Sequence, residues 1–223
     1  MDGAVLRALS PLPETSSELN KVAAILGAGS STLFLRAEAN EVNFRAQKLL
    51  DYRILYFATH GLLPGELKCQ AEPGLVLTPP VQQPASRLQD GLLEASEIAG
   101  LKLNADLVVL SACNTAGGAG KFGGEALSGL AESFFFAGAR SLVVSHWQVP
   151  SAATAQLMSA LFSTLGPELK GGVSVALQAA QAKLIAQKET AHPFFWAAFV
   201  VVGDGMAASS AQLLKSPAAL ASR

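Results

Sequence analysis

Cys113 and His60 are the two residues of this sequence whose types are best suited to covalent catalysis. A cysteine thiol has an unperturbed pKa of about 8.5, so only a small fraction is the nucleophilic thiolate at neutral pH. A histidine within hydrogen-bonding reach can take the thiol proton and later protonate the leaving amine. Cys113 is therefore the candidate nucleophile, and His60 the candidate general acid and base, of a reaction through a thioester acyl-enzyme.

Both residues follow short apolar runs that are typical of buried strands. The run 53–59 precedes His60, and the run Leu107–Leu110 precedes Ser-Ala-Cys113. Uninterrupted apolar runs of this length indicate strands covered on both faces, as in a parallel sheet. Because ligands bind beyond the carboxyl ends of such strands, we expect the thiol and the imidazole to meet at one edge of the sheet.

These two segments belong to a series of short motifs that extends over most of the chain. In order, the motifs are Ala58-Thr-His60-Gly61, Leu110-Ser-Ala-Cys113-Asn-Thr, Gly124-Glu125, Ala137-Gly-Ala-Arg140, Trp147-x-Val149, His192-Pro and Trp196-Ala-Ala-Phe199. The series resembles the CHAT domain, a caspase-like cysteine peptidase family related to separases, over roughly residues 11 to 205. His60 precedes Cys113 by 53 residues. This agrees with the ~50 of caspases, whose local signatures do not transfer between families.

The resemblance implies a fold and a mechanism. The fold is a three-layer α/β/α caspase-like sandwich with a mostly parallel central sheet. The mechanism uses the dyad of His60 and Cys113, an oxyanion hole formed by the backbone N–H groups of Gly61 and Cys113, no metal, no cofactor and no obligatory third residue. A glycine after the histidine lets the main chain approach a substrate carbonyl closely.

The resemblance also implies a partner. In the family, such domains commonly follow helical TPR repeats, and this sequence has no self-similarity at a period of about 34 residues. We therefore expect a protein substrate and a regulatory partner or TPR-type region outside this chain.

The segment Trp-Gln-Val-Pro-Ser that starts at Trp147 departs from the family pattern. Separases, which cut after arginine, carry two acids in the corresponding Trp-Asp-Val-Thr-Asp segment. If Trp147, Gln148, Val149 and Ser151 bind the substrate residue before the scissile bond, a buried arginine or lysine there would lack its charge partner, which is costly. We expect a preference for an uncharged side chain, unless an acid of the 62–90 loop restores the charge. The structural alternative is that Ser151 only caps a helix.

Other residues of the same chemical types are weaker candidates. His146 ends a predicted strand and is a rival base if it lines the cleft; the structural alternative is a packed or hydrogen-bonded imidazole. His192 precedes a proline in a turn and is expected to be structural. Cys69 lies in a polar loop without a histidine motif. For Cys113 itself, the structural alternative is a buried small hydrophobe. The three histidines and two cysteines have no spacing typical of a zinc site.

Composition excludes several classes of function. The chain has 223 residues, of which 50% are hydrophobic and 15% charged, with a net charge of −1. This suits one α/β domain and disfavours disorder or nucleic acid as the main ligand. The longest apolar run, nine residues, is shorter than the ~20 that a membrane-spanning helix needs. With no visible secretory signal and two unpatterned cysteines, we expect a cytoplasmic protein.

The sequence divides into a short N-terminal remnant (1–12), the peptidase domain (13–205) and a flexible C-terminal tail (206–223). Thr15-x-x-Glu18 matches a capping box at the start of a helix that Gly27 ends. A second helix is expected from Asn40, with a buried stripe of Val42, Ala46, Leu49 and Leu50. A short helix is expected over 91–100.

Three functions remain open from the sequence. The first is a cysteine endopeptidase under the control of a partner. The second is a catalytically silent caspase-like module for protein interaction, which the intact dyad disfavours. The third, an acyltransferase or esterase on the same scaffold, is disfavoured because no small-molecule acyl pocket is apparent.

Overall fold

The structure, a computed structural model, describes residues 3–27, 33–68, 70–82, 86–111, 123–166, 171–205 and 219–222. The strands in these residues are β1 (Leu33–Leu35), β2 (Ile54–Ala58), β3 (Gly61–Leu62), β4 (Gly74–Val76), β5 (Leu92–Glu94), β6 (Leu107–Leu110), β7 (Ser141–Ser145), β8 (Phe199–Gly203) and β9 (Ala219–Ser222). Six of them form one sheet in the order β1-β9-β2-β6-β7-β8. All neighbours in this sheet are parallel except β7 and β8. The predicted mostly parallel central sheet is confirmed.

Helices cover both faces of this sheet. The α-helices are α1 (Gly3–Arg7), α2 (Pro13–Leu26), α3 (Glu41–Arg45), α4 (Ala95–Ala99), α5 (Gly123–Ala137), α6 (Ser151–Leu165) and α7 (Val173–Ile185), and 3-10 turns occur at Arg36–Glu38, Leu49–Asp51, Arg87–Gln89 and Pro193–Phe195. Alternate strand residues enter opposite cores, as Tyr56 and Phe57 of β2 do. The first core contains α2, α6 and α7, and the second contains α3, α4 and α5. The three-layer α/β/α prediction is confirmed.

An ion cluster joins the amino ends of the three central parallel strands. Asp106, just before β6, accepts a hydrogen bond from Arg53 Nε at 2.6 Å and one from Arg140 Nη1 at 3.1 Å. Arg53 precedes β2 and Arg140 precedes β7. The Asp106 side chain is 8% exposed, so water barely reaches its carboxylate. The two arginines therefore balance a charge that water does not solvate.

Two residues separate the end of β2 from the start of a second, smaller sheet. Its order is β3-β4-β5, and both pairings are antiparallel. A small core of Leu6, Leu62, Val76 and Leu92 fixes α1 against this sheet. The proline-rich segment after His60 is thus built partly as a sheet beside the carboxyl end of β2.

Local patterns were misleading in two helices. The expected capping box is not formed: α2 begins at Pro13, Thr15 Oγ1 donates to the Leu12 carbonyl at 2.6 Å, and Glu18 is buried. Gly27 ends this helix as predicted, with φ of 66° in the left-handed region.

The predicted stripe after Asn40 is wrong. Asn40 does cap α3, since its Oδ1 accepts the Asn43 N–H at 2.9 Å, but the helix ends after five residues. Val42 and Leu50 are 54% and 52% exposed, and the buried residue of α3 with an apolar side chain is Phe44. The chain turns away from helix geometry before a stripe can form.

Two further segments differ from expectation. The segment 91–100, expected to be one helix, contains strand β5 at Leu92–Glu94, and only Ala95–Ala99 is helical. Within the segment expected to be a flexible tail, Ala219–Ser222 forms β9 between β1 and β2. A parallel strand in this position supplies ladder partners to both neighbours, which local sequence cannot reveal.

Candidate functional site

His60 stands just beyond β2, at the carboxyl edge of the sheet, as predicted. Its imidazole is half-buried, and Nε2 lies 2.7 Å from the carbonyl oxygen of Ser10. A carbonyl oxygen can only accept, so Nε2 carries the hydrogen in this contact. In the neutral ring, Nδ1 is then the nitrogen with a lone pair available for a proton.

The main chain around His60 is fixed by the small sheet. The Val76 N–H donates to the His60 carbonyl at 2.8 Å, and Thr59 Oγ1 donates to the Val76 carbonyl. Gly61 pairs with Leu75 in the antiparallel register. In an antiparallel ladder, hydrogen-bonded and non-hydrogen-bonded pairs of residues alternate. Because His60 and Val76 form a hydrogen-bonded pair, the next pair, Gly61 and Leu75, is not hydrogen-bonded, and its N–H groups point away from the partner strand. The Gly61 N–H therefore points away from β4.

Cys113 lies outside the described residues, and the chain is described up to Ser111. The Ser111 N–H donates to the Phe57 carbonyl of β2 at 2.9 Å, which extends the β2-β6 ladder beyond the end of β6. The register pairs Phe57 with Leu110. His60 and Cys113 are thus each three residues beyond a paired position of adjacent parallel strands.

A buried carboxyl group that the sequence did not identify lies below this edge. Glu18 of α2 is 2% exposed and accepts a short hydrogen bond from the Tyr56 hydroxyl. Burial raises the pKa of the Glu18 carboxyl, while the hydrogen bonds from Tyr56 and Ser111 oppose that rise. The only sequence signal was an acidic residue among the apolar positions of an amphipathic helix.

The four predicted substrate-binding residues have different environments. Trp147 is half-buried and donates its indole N–H to the Phe194 carbonyl at 2.9 Å, and Gln148 is exposed. Val149 is 2% exposed within the first core, so its side chain serves packing. Ser151 is the first residue of α6, makes no side-chain cap, and lines a groove of about 640 Å³ between α2, α6 and α7.

The rival histidines have distinct surroundings. His146 is exposed just beyond β7, and its N–H donates to the Ala198 carbonyl at 2.9 Å. His192 Nδ1 accepts the Phe194 N–H at 3.2 Å and so caps the 3-10 turn before β8. Cys69 lies outside the described residues.

The described part of the chain offers no cluster of three or more histidine, cysteine or acidic side chains arranged to hold a metal ion. Among the same residues, no helix combines the length and apolar character needed to cross a membrane.

Comparison with known proteins agrees with the architecture. The CHAT domain model matches residues 4–204. Tetratricopeptide repeat protein 28 of Mus musculus and that of Homo sapiens are each 33% identical to this chain over 123 residues, or 55% of the chain. The matched part is only 5% of the length of each relative. Since the family model extends over most of the sequence, the chain belongs to the CHAT domain family.

Proposed function

We propose that this chain is a cysteine endopeptidase in which Cys113 is the nucleophile and His60 the general acid and base. Nδ1 of His60 takes the thiol proton as the sulfur bonds to the carbonyl carbon of the scissile peptide. The tetrahedral intermediate collapses, the C–N bond breaks, and the amine leaves with the proton from Nδ1. Water then attacks the thioester, with His60 as base, and releases the acid and the free thiol.

The observation that carries this proposal is the tautomer of the His60 imidazole. The Ser10 carbonyl holds the hydrogen on Nε2, so the neutral ring presents Nδ1 as the base. The β2-β6 register supports the pairing, because His60 and Cys113 follow paired positions by the same number of residues. A proton acceptor and a thiol at adjacent strand ends are the minimum that thiolate chemistry requires.

The backbone N–H groups of Gly61 and Cys113 are the proposed oxyanion donors. The Gly61 N–H points away from β4, so pairing within the small sheet does not occupy this donor. A donor held in a rigid strand can stabilise a tetrahedral oxyanion without reorganising.

We further propose that the residue before the scissile bond is uncharged. The groove that Ser151 lines contains one carboxylate, from Glu14, and two ammonium groups, from Lys21 and Lys183, so it offers no net negative charge to a cationic side chain. Peptide substrates that differ only in norleucine or arginine at this position test the proposal. Faster cleavage after arginine would contradict it.

The dyad is tested by labelling with a thiol-directed acylating probe. We expect labelling of Cys113 in the wild type and in Cys69→Ala, and its loss in His60→Ala. His146→Ala is the matched control, because it removes an exposed imidazole beyond a neighbouring strand end and should leave labelling intact. Peptidase activity is then read as new N-termini in a proteome extract treated with wild type or Cys113→Ala. Identical N-termini from the two would instead favour a silent interaction module.

The proposed setting is a cytoplasmic protein whose peptidase activity a partner controls. The relatives are named for tetratricopeptide repeats, which supports a repeat region as the source of that control. Adding a candidate repeat protein to the purified chain should change the rate of probe labelling. No change with any repeat region that binds the chain would contradict this setting.

A further inference from the structure

The N-terminal segment runs from the small sheet to α2 and contacts His60 on the way. At one end, Leu6 of α1 is fully buried in the small core that α1 shares with β3, β4 and β5. At the other end, the chain enters α2, which packs in the first core. Residues 8–12 connect these two anchors and are called the bridge. The carbonyl oxygen of Ser10, in the middle of the bridge, lies 2.7 Å from Nε2 of His60.

We propose that the bridge positions the base of the dyad: the anchoring of Leu6 and the stiffness of Pro11 hold the Ser10 carbonyl against the His60 ring. This inference rests on the proposed function, in which the bond from His60 to Ser10 keeps the hydrogen on Nε2 and leaves Nδ1 as the base. Leu6 and Pro11 act through Ser10, so they are positioning residues and not catalytic ones.

Proline restricts the bridge at the residue that makes the contact. The direction of a carbonyl group depends on ψ of its own residue, and a residue that precedes proline is largely confined to extended backbone. Ser10 precedes Pro11, and Leu12 precedes Pro13, the first residue of α2. Residues 10–12 are accordingly neither helix nor strand. Pro11 is exposed, so its contribution is to backbone conformation and not to packing.

Contacts of α1 with the small sheet determine where the bridge begins. Besides the burial of Leu6, Nη1 of Arg7 donates to the Pro80 carbonyl at 2.7 Å. A helix of five residues has little stability of its own, so these contacts keep α1 in place. The small sheet also fixes the His60 main chain, through the bond from the Val76 N–H. One sheet therefore positions the main chain of the base and, through α1 and the bridge, its ring.

Access of water makes this anchoring necessary. Ser10 is exposed and His60 is half-buried, so water competes for both the carbonyl oxygen and the ring N–H. A hydrogen bond in such a position contributes little net free energy unless its two groups are already held together. The anchors at Leu6 and Pro11 reduce the conformational entropy that the bridge would otherwise lose when the bond forms.

The first test reads the His60 ring in the full chain labelled with nitrogen-15 at histidine. Long-range proton–nitrogen correlation spectra at pH 8, above the usual pKa of histidine, show which ring nitrogen carries the hydrogen, and His60→Gln assigns the signals. In the wild type we expect the hydrogen to be fixed on Nε2. In Leu6→Ala and in Pro11→Gly, the His60 signals should move at least halfway toward those of His146, whose side chain is exposed.

The second test measures the rate of Cys113 alkylation by iodoacetamide at pH 7 in a Cys69→Ala background. Leu6→Ala and Pro11→Gly should each slow alkylation by about fivefold, which corresponds to the loss of one hydrogen bond. Leu6→Met keeps an apolar side chain of similar volume and should restore the rate to within about twofold of the wild type. Pro11→Gly removes no buried contact, so it provides the test if Leu6→Ala does not fold.

Leu165→Ala is the control for a cavity in the protein core. Leu165 is the last residue of α6 and is 2% exposed in the first core. Its replacement should lower the midpoint of thermal unfolding at least as much as Leu6→Ala does, because both remove a buried leucine side chain. The His60 ring signals and the alkylation rate should nevertheless stay at their wild-type values.

The outcomes distinguish this inference from the function on which it rests. If wild-type Cys113 reacts like a free thiol and His60→Gln does not change its rate, the dyad is absent and both proposals fail. If His60 activates the thiol but Leu6→Ala and Pro11→Gly keep the wild-type ring signals, only the positioning role is overturned. Altered ring signals with an unchanged alkylation rate, or an equal effect of Leu165→Ala on the ring, would also overturn it.

Discussion

Replacing Glu41 with glutamine should make the stability of the chain less dependent on pH. Glu41 is 1% exposed, and its Oε2 accepts the Gly91 N–H at 2.7 Å. Burial raises the pKa of Glu41 from 4.5 to about 7, opposed by the Gly91 bond and assisted by the nearby charges of Glu97 and Asp90. The carboxyl group therefore remains protonated in the folded chain over a range in which it is ionised in the unfolded chain.

The sign of the effect follows from this difference. Below about pH 4.5, both states hold the proton and ionisation of Glu41 costs the folded state nothing. As the pH rises toward 7, the unfolded state ionises while the folded state does not, so the free energy of unfolding falls. Above about pH 7 both are ionised and the loss is complete. The shift corresponds to an upper limit of about 3 kcal/mol.

The assay is urea unfolding of the wild type and Glu41→Gln between pH 4.5 and pH 8. Glutamine can still accept the Gly91 N–H but does not titrate. The free energy of unfolding of the variant relative to the wild type should rise by about 2 to 3 kcal/mol across this range. Subtracting the two curves removes the contributions of groups that do not act on Glu41, such as Glu18 and Glu94, whose pKa values are also raised by burial.

Glu38→Gln is the matched control, since Glu38 is an exposed glutamate that precedes α3. Its pH dependence should follow the wild type. A constant difference between wild type and Glu41→Gln across the range would refute this account, because it would mean that Glu41 has the same proton affinity in both states.

Three further predictions concern the sheet. Asp106→Asn should lower the free energy of unfolding by about 2 to 3 kcal/mol in urea, because it leaves two arginines without their shared carboxylate; a loss below 0.5 kcal/mol, about that of a surface pair, would contradict this. Gly138→Ala should cost at least about 2 kcal/mol more than Gly171→Ala. Both glycines have positive φ, but a Cβ at Gly138 would lie 2.4 Å from the Leu103 carbonyl oxygen, whereas a Cβ at Gly171 would have no heavy atom of the described residues within 4 Å, its chain neighbours aside. Equal losses would argue against a clash at Gly138. Leu220→Pro should accelerate amide hydrogen exchange in β1 and β2, because β9 pairs with these two strands and proline cannot donate to the ladder. Exchange in β7 and β8 should not change. Unchanged exchange in β2 would mean that β9 does not stabilise β2.

The central strands and the position of His60 followed from the sequence because their signals are local. An apolar run of four or five residues that ends in a polar residue predicts a parallel strand covered on both faces. The ends of β2 and β6 were therefore predictable, as was their common edge. The β3-β4-β5 sheet was less so, since two- and three-residue strands are too short for a periodic pattern.

Contacts between distant parts of the chain were beyond local patterns. Glu18 fitted a capping box with Thr15, yet its hydroxyl partner Tyr56 is 38 residues away. The bond between His60 and Ser10 uses a backbone carbonyl, which every residue has and no sequence pattern marks. A buried acid on the apolar stripe of a helix is nevertheless a usable signal, because it requires polar partners from another element.

Shared motifs alone do not distinguish chemistry from architecture. The motif Ala137-Gly-Ala-Arg140 is as clear in the sequence as the one that contains His60, but Arg140 binds Asp106 at the amino ends of the strands, opposite the edge where His60 lies. Gly138 is required there by its φ of 110°. Direction along a parallel strand separates the two positions: Arg140 precedes its strand and joins the sheet together, whereas His60 follows its strand, at the edge where ligands bind in open α/β sheets. By this criterion the segment after β7, which holds Trp147 and Gln148, is the next place to search for residues that contact a ligand.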